Sequence, residues 1–136
     1  MGLWQPGTHK GFVISGNPGT PVRFELNRHM GTAVRDFLAQ SMALEAQPTL
    51  GPMTYFTLHA DGKPRYSVMQ MQEARVAEQN AWIVYFQCPE VDAMAEQVKE
   101  LGGQVLAGPI DSPFGRIAVC TDPMGSRFML IRSAGG

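Results

Sequence analysis

Two pairs of polar residues on strand-like runs carry the side chains that could handle a ligand. In VRFEL, residues 22–26, Arg23 and Glu25 are two apart, and in WIVYFQC, residues 82–88, Tyr85 and Gln87 repeat that spacing. Successive side chains of a strand point to opposite faces, so each pair shares one face. A guanidinium, a carboxylate, a phenol and an amide on one surface could orient the polar group of a small molecule. A buried carboxylate with a raised pKa could also act as a general base. Arg23 and Glu25 could equally neutralise each other, and spacing places no second carboxylate beside Glu25, so no catalytic residue is assigned.

The other reactive residue types are scattered. His9, His29 and His59 lie ahead of the first strand, at a helix start and beside a hairpin turn. Their spacings match no metal motif, and surface or capping roles are expected. Cys88 and Cys120 are isolated, which indicates buried reduced thiols rather than a disulfide scaffold or a zinc site. Eleven basic residues against twelve acidic ones give a net charge of −1. No window gathers the basic stripe that nucleic acid would need. No run reaches the roughly 18 apolar residues of a membrane helix, and no signal-peptide stretch opens the chain, so no membrane partner and a cytoplasmic location are expected.

These side chains need a scaffold, and 136 residues suffice for one core. Met30, Ala33, Val34, Phe37, Leu38 and Ser41 follow a helical period, predicting a helix from about Arg28 to Ala43 with Asn27 as its cap. Val91, Met94, Ala95, Val98 and Leu101 predict a second, stopped by Gly102 and Gly103. Strands are predicted at 22–26, 54–60, 65–71, 82–88, 104–108, 116–121 and 127–132, with a hairpin at Asp61-Gly62. A further strand could run near Ala43–Leu50, although Pro48, with no N–H to donate, counts against it. The order strand, helix, three strands then occurs twice, a repeat of about sixty residues visible in element order. The fold class read from this is α+β: two βαβββ units, about 22–72 and 81–133, forming a curved mixed sheet around a central cavity, with residues 1–21 as a connector arm.

An ordered set of short motifs over the second half carries a resemblance. Glu90-Val91-Asp92-Ala93, Leu101-Gly102-Gly103-Gln104-Val105, Gly108-Pro109, Pro113-Phe114-Gly115-Arg116 and Asp122-Pro123-Met124-Gly125-Ser126-Arg127-Phe128 follow one another in register. Together they resemble the vicinal oxygen chelate superfamily, which includes glyoxalase I, bleomycin-resistance proteins and extradiol dioxygenases. Leu3-Trp4-Gln5-Pro6-Gly7 through Gly11, followed by Asn17-Pro18-Gly19-Thr20, resembles the junction in a subgroup of tandem glyoxalase-like domains. That implies a connector along the outside of the domain, with Trp4 anchoring it.

The resemblance also implies where metal ligands would stand: Arg23 on the first strand, Met129 on the last, Ile83, and Met69 or Gln70. A guanidinium is no ordinary ligand and a thioether is a poor one for a hard divalent ion, so no metal and no cofactor are expected. Strand alternation turns Arg23, Glu25, Ile83, Tyr85, Gln87 and Met129 inward. On the hairpin strand either Met69 and Met71 or Tyr66, Val68 and Gln70 join them, and the sequence leaves both open. Nine methionines suit an adaptable apolar lining, and Phe114 and Arg116 could close the cavity mouth. The leading expectation is a metal-free protein binding a small apolar or aromatic molecule. The alternatives are a glyoxalase-like lyase, isomerase or dioxygenase using a non-standard site such as Glu25 with Tyr85, and a self-associating half of a tandem protein. The last would be a homodimer, built on an exposed Trp4 or Phe12.

Overall fold

In the computed structural model, which describes residues 5–9, 16–28, 30–48, 54–70 and 81–134, the repeat appears as two four-stranded halves of one sheet. The first unit contains β1 (Pro21–Arg28), α1 (Gly31–Ser41), β2 (Glu45–Pro48), β3 (Tyr55–Ala60) and β4 (Lys63–Gln70). The second contains β5 (Trp82–Gln87), α2 (Val91–Glu100), β6 (Gln104–Ser112), β7 (Gly115–Thr121) and β8 (Arg127–Ser133). The sheet order is β2-β3-β4-β1-β5-β8-β7-β6, so the units join where β1 and β5 pair antiparallel. Each joining strand pairs in parallel with the last strand of its own unit, β1 with β4 and β5 with β8. The fold is α+β with a curved, unclosed mixed sheet, and Pro48 ends the edge strand β2, where a missing N–H donor does least harm.

Both helices cover the outer face. Leu38 of α1 packs on Leu26, Leu58 and Val68. Val91 and Ala95 of α2 pack on Cys88, Ala118, Cys120 and Leu130. Apolar residues at alternate strand positions thus meet an apolar stripe on each helix, the match of periods two and 3.6 that this layer needs. A third cluster, Ile83, Tyr85, Met129 and Ile131, lies on the inner face. Among the described residues no helix is long and apolar enough to cross a membrane.

The first helix differs from its sequence expectation. β1 continues to Arg28, paired with Gln70, so Asn27 is a buried strand residue and no cap, and α1 begins at Gly31. The start falls there because the helix crosses close over β4: a Cβ at Gly31 would meet the Gln70 Cβ at 2.9 Å. The helix buries Gly31 and Leu38, while Phe37, and Met30 just ahead of the helix, are exposed, Phe37 at 62%. The Asp61-Gly62 hairpin is as expected, both residues having positive φ. Just before β1, Gly19 N–H donates to the Gln87 carbonyl and Gln87 N–H to the Thr20 carbonyl, which ties the lead-in segment to β5. Trp4, Phe12, His29 and Met71 lie outside the described residues.

Candidate functional site

Register brings the inward side chains of the two units into adjacent rows. Across the sheet, Thr57, Ser67, Glu25 and Ile83 are successive neighbours. Beside them, Arg23, Tyr85, Met129 and Val119 form a second row. The open question about β4 is resolved by its partners. Val68 and Tyr66 pack toward α1, whereas Ser67 reaches Glu25. Met69 therefore shares the inner face, and Gln70 does not.

Glu25 is the polar centre of this face and only 3% exposed. Its Oε2 accepts hydrogen bonds from Tyr85 Oη at 2.9 Å, Tyr55 Oη at 3.0 Å and Ser67 Oγ at 3.4 Å. Tyr55 lies two strands from β1, and the small Ser67 between them leaves room for its phenol to cross. Burial pushes the Glu25 carboxyl above its ordinary value, while the Tyr85, Tyr55 and Ser67 hydroxyls and the Arg23 charge offset part of that rise. Burial and the neighbouring carboxylate push Tyr55 up to about 12 and raise Tyr85 as well, so both phenols stay protonated donors.

The β6–β7 hairpin forms the roof. Phe114 at its tip packs on the inner apolar cluster and meets the Tyr55 ring at 5.3 Å between centroids, while the Arg23 guanidinium sits 4.5 Å from the Phe114 centroid. Gly115 makes the turn with φ 130°, and a Cβ there would run into the Arg132 carbonyl. Arg116 has a structural task. It forms a bidentate pair with Asp92 at 2.6 and 2.8 Å and reaches Asp111 at 3.1 Å, fastening the hairpin to the start of α2. Gln87 accepts from Ser133 Oγ at 2.9 Å at the rim. A cleft of about 280 Å³ opens beside the roof, with Val22, Arg23, Pro64, Pro113, Phe114 and Ile131 among its walls.

The inner face does not fit the superfamily's metal. The implied positions carry Arg23, Met69, Ile83 and Met129, and the one carboxylate in their midst, Glu25, is already held by hydroxyls. Among the described residues no three His, Cys, Asp or Glu side chains gather as a metal set. Of the residues singled out by sequence, Arg23, Glu25, Met69, Ile83, Tyr85 and Met129 share the inner face, with Gln87 at its rim. Tyr55 and Ser67 were missed. Their signal was the alternation of Tyr55 with Phe56 and Leu58 and of Ser67 with Tyr66 and Val68, but strand order was needed to bring them to Glu25.

Residues 26–131 match the family described as glyoxalase-like domain. The putative glyoxylase CFP32 of Mycobacterium tuberculosis is 29% identical over 98% of this chain and 52% of its own length. The anthracycline biosynthesis protein DnrV of Streptomyces peucetius is 33% identical over 95% of this chain and 47% of its own. The chain thus spans about half the length of the curated relatives it matches. Among solved structures, methylmalonyl-CoA epimerase of Streptomyces coelicolor, in complex with 2-nitronate-propionyl-CoA, superposes with a TM-score of 0.67 at 18% identity, covering 88% of this chain and 97% of that one. A hypothetical protein of Bacillus halodurans superposes with a TM-score of 0.70 at 10% identity, covering 88% and 98%. The paired βαβββ sheet and the sequence match agree: this chain belongs to the glyoxalase-like domain family, on the vicinal oxygen chelate fold.

Proposed function

We propose that this protein binds a small, mostly apolar or aromatic molecule on its inner face without a metal ion. The observation that carries the reading is the composition of that face: Ile83, Met129, Ile131 and Phe114 form an apolar wall around one polar cluster, Glu25 with Tyr55 and Tyr85. Binding pockets for small molecules have this make-up, an apolar lining with a few placed polar groups. The Met69 and Met129 side chains suit a planar or irregular ligand because a thioether chain adapts its shape. The test is titration of chelator-treated protein with 2-naphthol, followed by intrinsic fluorescence. Saturable one-to-one binding that added Mn²⁺, Ni²⁺ or Zn²⁺ leaves unchanged is the expected result. Binding that appears only with metal would refute the reading.

One contact favours a second reading. Glu25 accepts from Tyr85 at 2.9 Å, and a carboxylate whose pKa is raised by burial can take a proton from an acidic carbon while a phenol steadies the charge left behind. This would make the protein a glyoxalase-like lyase or isomerase. Turnover of a candidate substrate that is lost in Glu25→Gln supports it, and turnover unaffected by that change removes Glu25 from the chemistry.

A further inference from the structure

We infer that the ligand of this site is an anion, a carboxylate or similar oxyanion on a flat apolar body, with Arg23 as its counter-charge. The inference rests on the binding function proposed above and names the ligand class. Arg23 stands at the wall of the cleft, stacked on Phe114. Its guanidinium forms no ion pair or hydrogen bond with any described residue.

Three other arginines have partners, Arg28 donating to the Asn27 carbonyl at 2.9 Å. Arg116 is engaged by Asp92 and Asp111, and Arg35 by Asp36. Arg23 has one carboxylate near it, Glu25, whose Oε2 is committed to three hydroxyls and whose protonated form burial favours. Arg23 acts on Glu25 through its charge but makes no hydrogen bond to it, so the guanidinium N–H donors are left for another acceptor. The surrounding walls are Val22, Pro64, Pro113, Phe114, Ile131, Ser133 and Ala134, and none of them carries a charge.

Arg23 is part-buried at the wall of the cleft and has no ion-pair partner among the described residues. Its planar fork presents two parallel N–H donors that match a carboxylate, and stacking on Phe114 fixes the plane of the fork. A ligand placing its oxyanion on this fork would lay its apolar body along Phe114 and the Ile131 wall. The part-buried position of Arg23 would make that contact stronger than one in open solvent.

The experiment compares two probes of nearly equal shape, 2-naphthoate and 2-naphthamide, titrated into the full chain with fluorescence detection. Naphthoate is expected to bind about tenfold more tightly than naphthamide, since an ionised acceptor makes the stronger hydrogen bond. In Arg23→Gln the two affinities should converge through loss of naphthoate binding alone. The wild-type protein supplies an independent check that needs no variant to fold: raising salt from about 0.05 to about 0.5 M should weaken naphthoate and leave naphthamide unchanged. Equal binding of both probes overturns the anion inference while leaving the pocket standing. Failure of both probes to bind overturns the pocket and the inference together.

Discussion

Replacing Tyr85 by Phe removes one oxygen and leaves the ring that packs with Ile83 and Met129. The lost contact is the 2.9 Å hydrogen bond to Glu25, an acceptor that is 3% exposed and cannot turn to solvent for a substitute. When Glu25 is ionised, that donor is worth about 1.5–3 kcal/mol, and when it is protonated, the neutral bond is worth about 0.5–1.5 kcal/mol. The cost of Tyr85→Phe should therefore grow with pH. Sign follows from linkage. Glu25 has a folded pKa raised above its ordinary 4.5, so its stabilising contribution is fully present below 4.5 and is lost as pH rises through the folded value. The Tyr85 hydroxyl opposes that rise, as do Tyr55, Ser67 and Arg23, so its removal lifts the folded pKa further and enlarges the loss. For a domain of this size 1 kcal/mol corresponds to about 3–5 °C in Tm, so the deficit should be a few degrees at an acid pH that keeps Glu25 protonated and about 5–15 °C at an alkaline pH that ionises it. Circular dichroism melts at the two pH values measure it, and the same substitution in a Glu25→Gln background should cost less and show no pH dependence. An equal deficit at both pH values, or one unchanged in the Gln background, would refute the buried carboxylate cluster.

Glu25→Gln itself should flatten the stability profile above pH 4.5 and leave the protein at least as stable as wild type in mild alkali, because it removes a buried charge and keeps a carbonyl acceptor; melts across the range test this. Leu58→Ala, at a side chain with no exposure under α1, should cost about 2–5 kcal/mol in urea unfolding. Gly115→Ala should destabilise the β6–β7 hairpin, since φ is 130° and the new Cβ meets the Arg132 carbonyl; hydrogen exchange should rise in the strands flanking the turn. Cys88 and Cys120, both buried and the latter with its thiol pKa raised by burial, should react slowly with a thiol reagent until denaturant is added.

Much of this architecture was legible because two periods, 3.6 and two, are written into the chain. Val91, Ala95 and Val98 announced α2, and Asp61-Gly62 announced its hairpin, since local patterning and turn chemistry act over a few residues. The repeat of strand, helix and three strands supplied the two-unit arrangement, and the resemblance in the second half agreed with it. The start of α1 escaped because Asn27 is a good cap by residue type, while the pairing of Arg28 with Gln70 that keeps it in a strand is a contact between distant segments.

The site divides the same way. Residue type and alternation alone placed Arg23 and Glu25 on one face and Tyr85 on another strand's matching face, because side-chain direction in a strand is a local property. They also showed that the positions implied for a metal carry Arg23, Ile83 and Met129, which is a matter of donor chemistry. Only the tertiary structure decided what Glu25 does. Its hydroxyl partners lie 30, 42 and 60 residues away along the chain. Its setting comes from a sheet order that puts β1 at the centre and from a hairpin tip that brings Phe114 onto its neighbours Tyr55 and Arg23. Whether that carboxyl carries a charge, and whether Arg23 has a partner for its own, depends on distances across strands that no local pattern encodes.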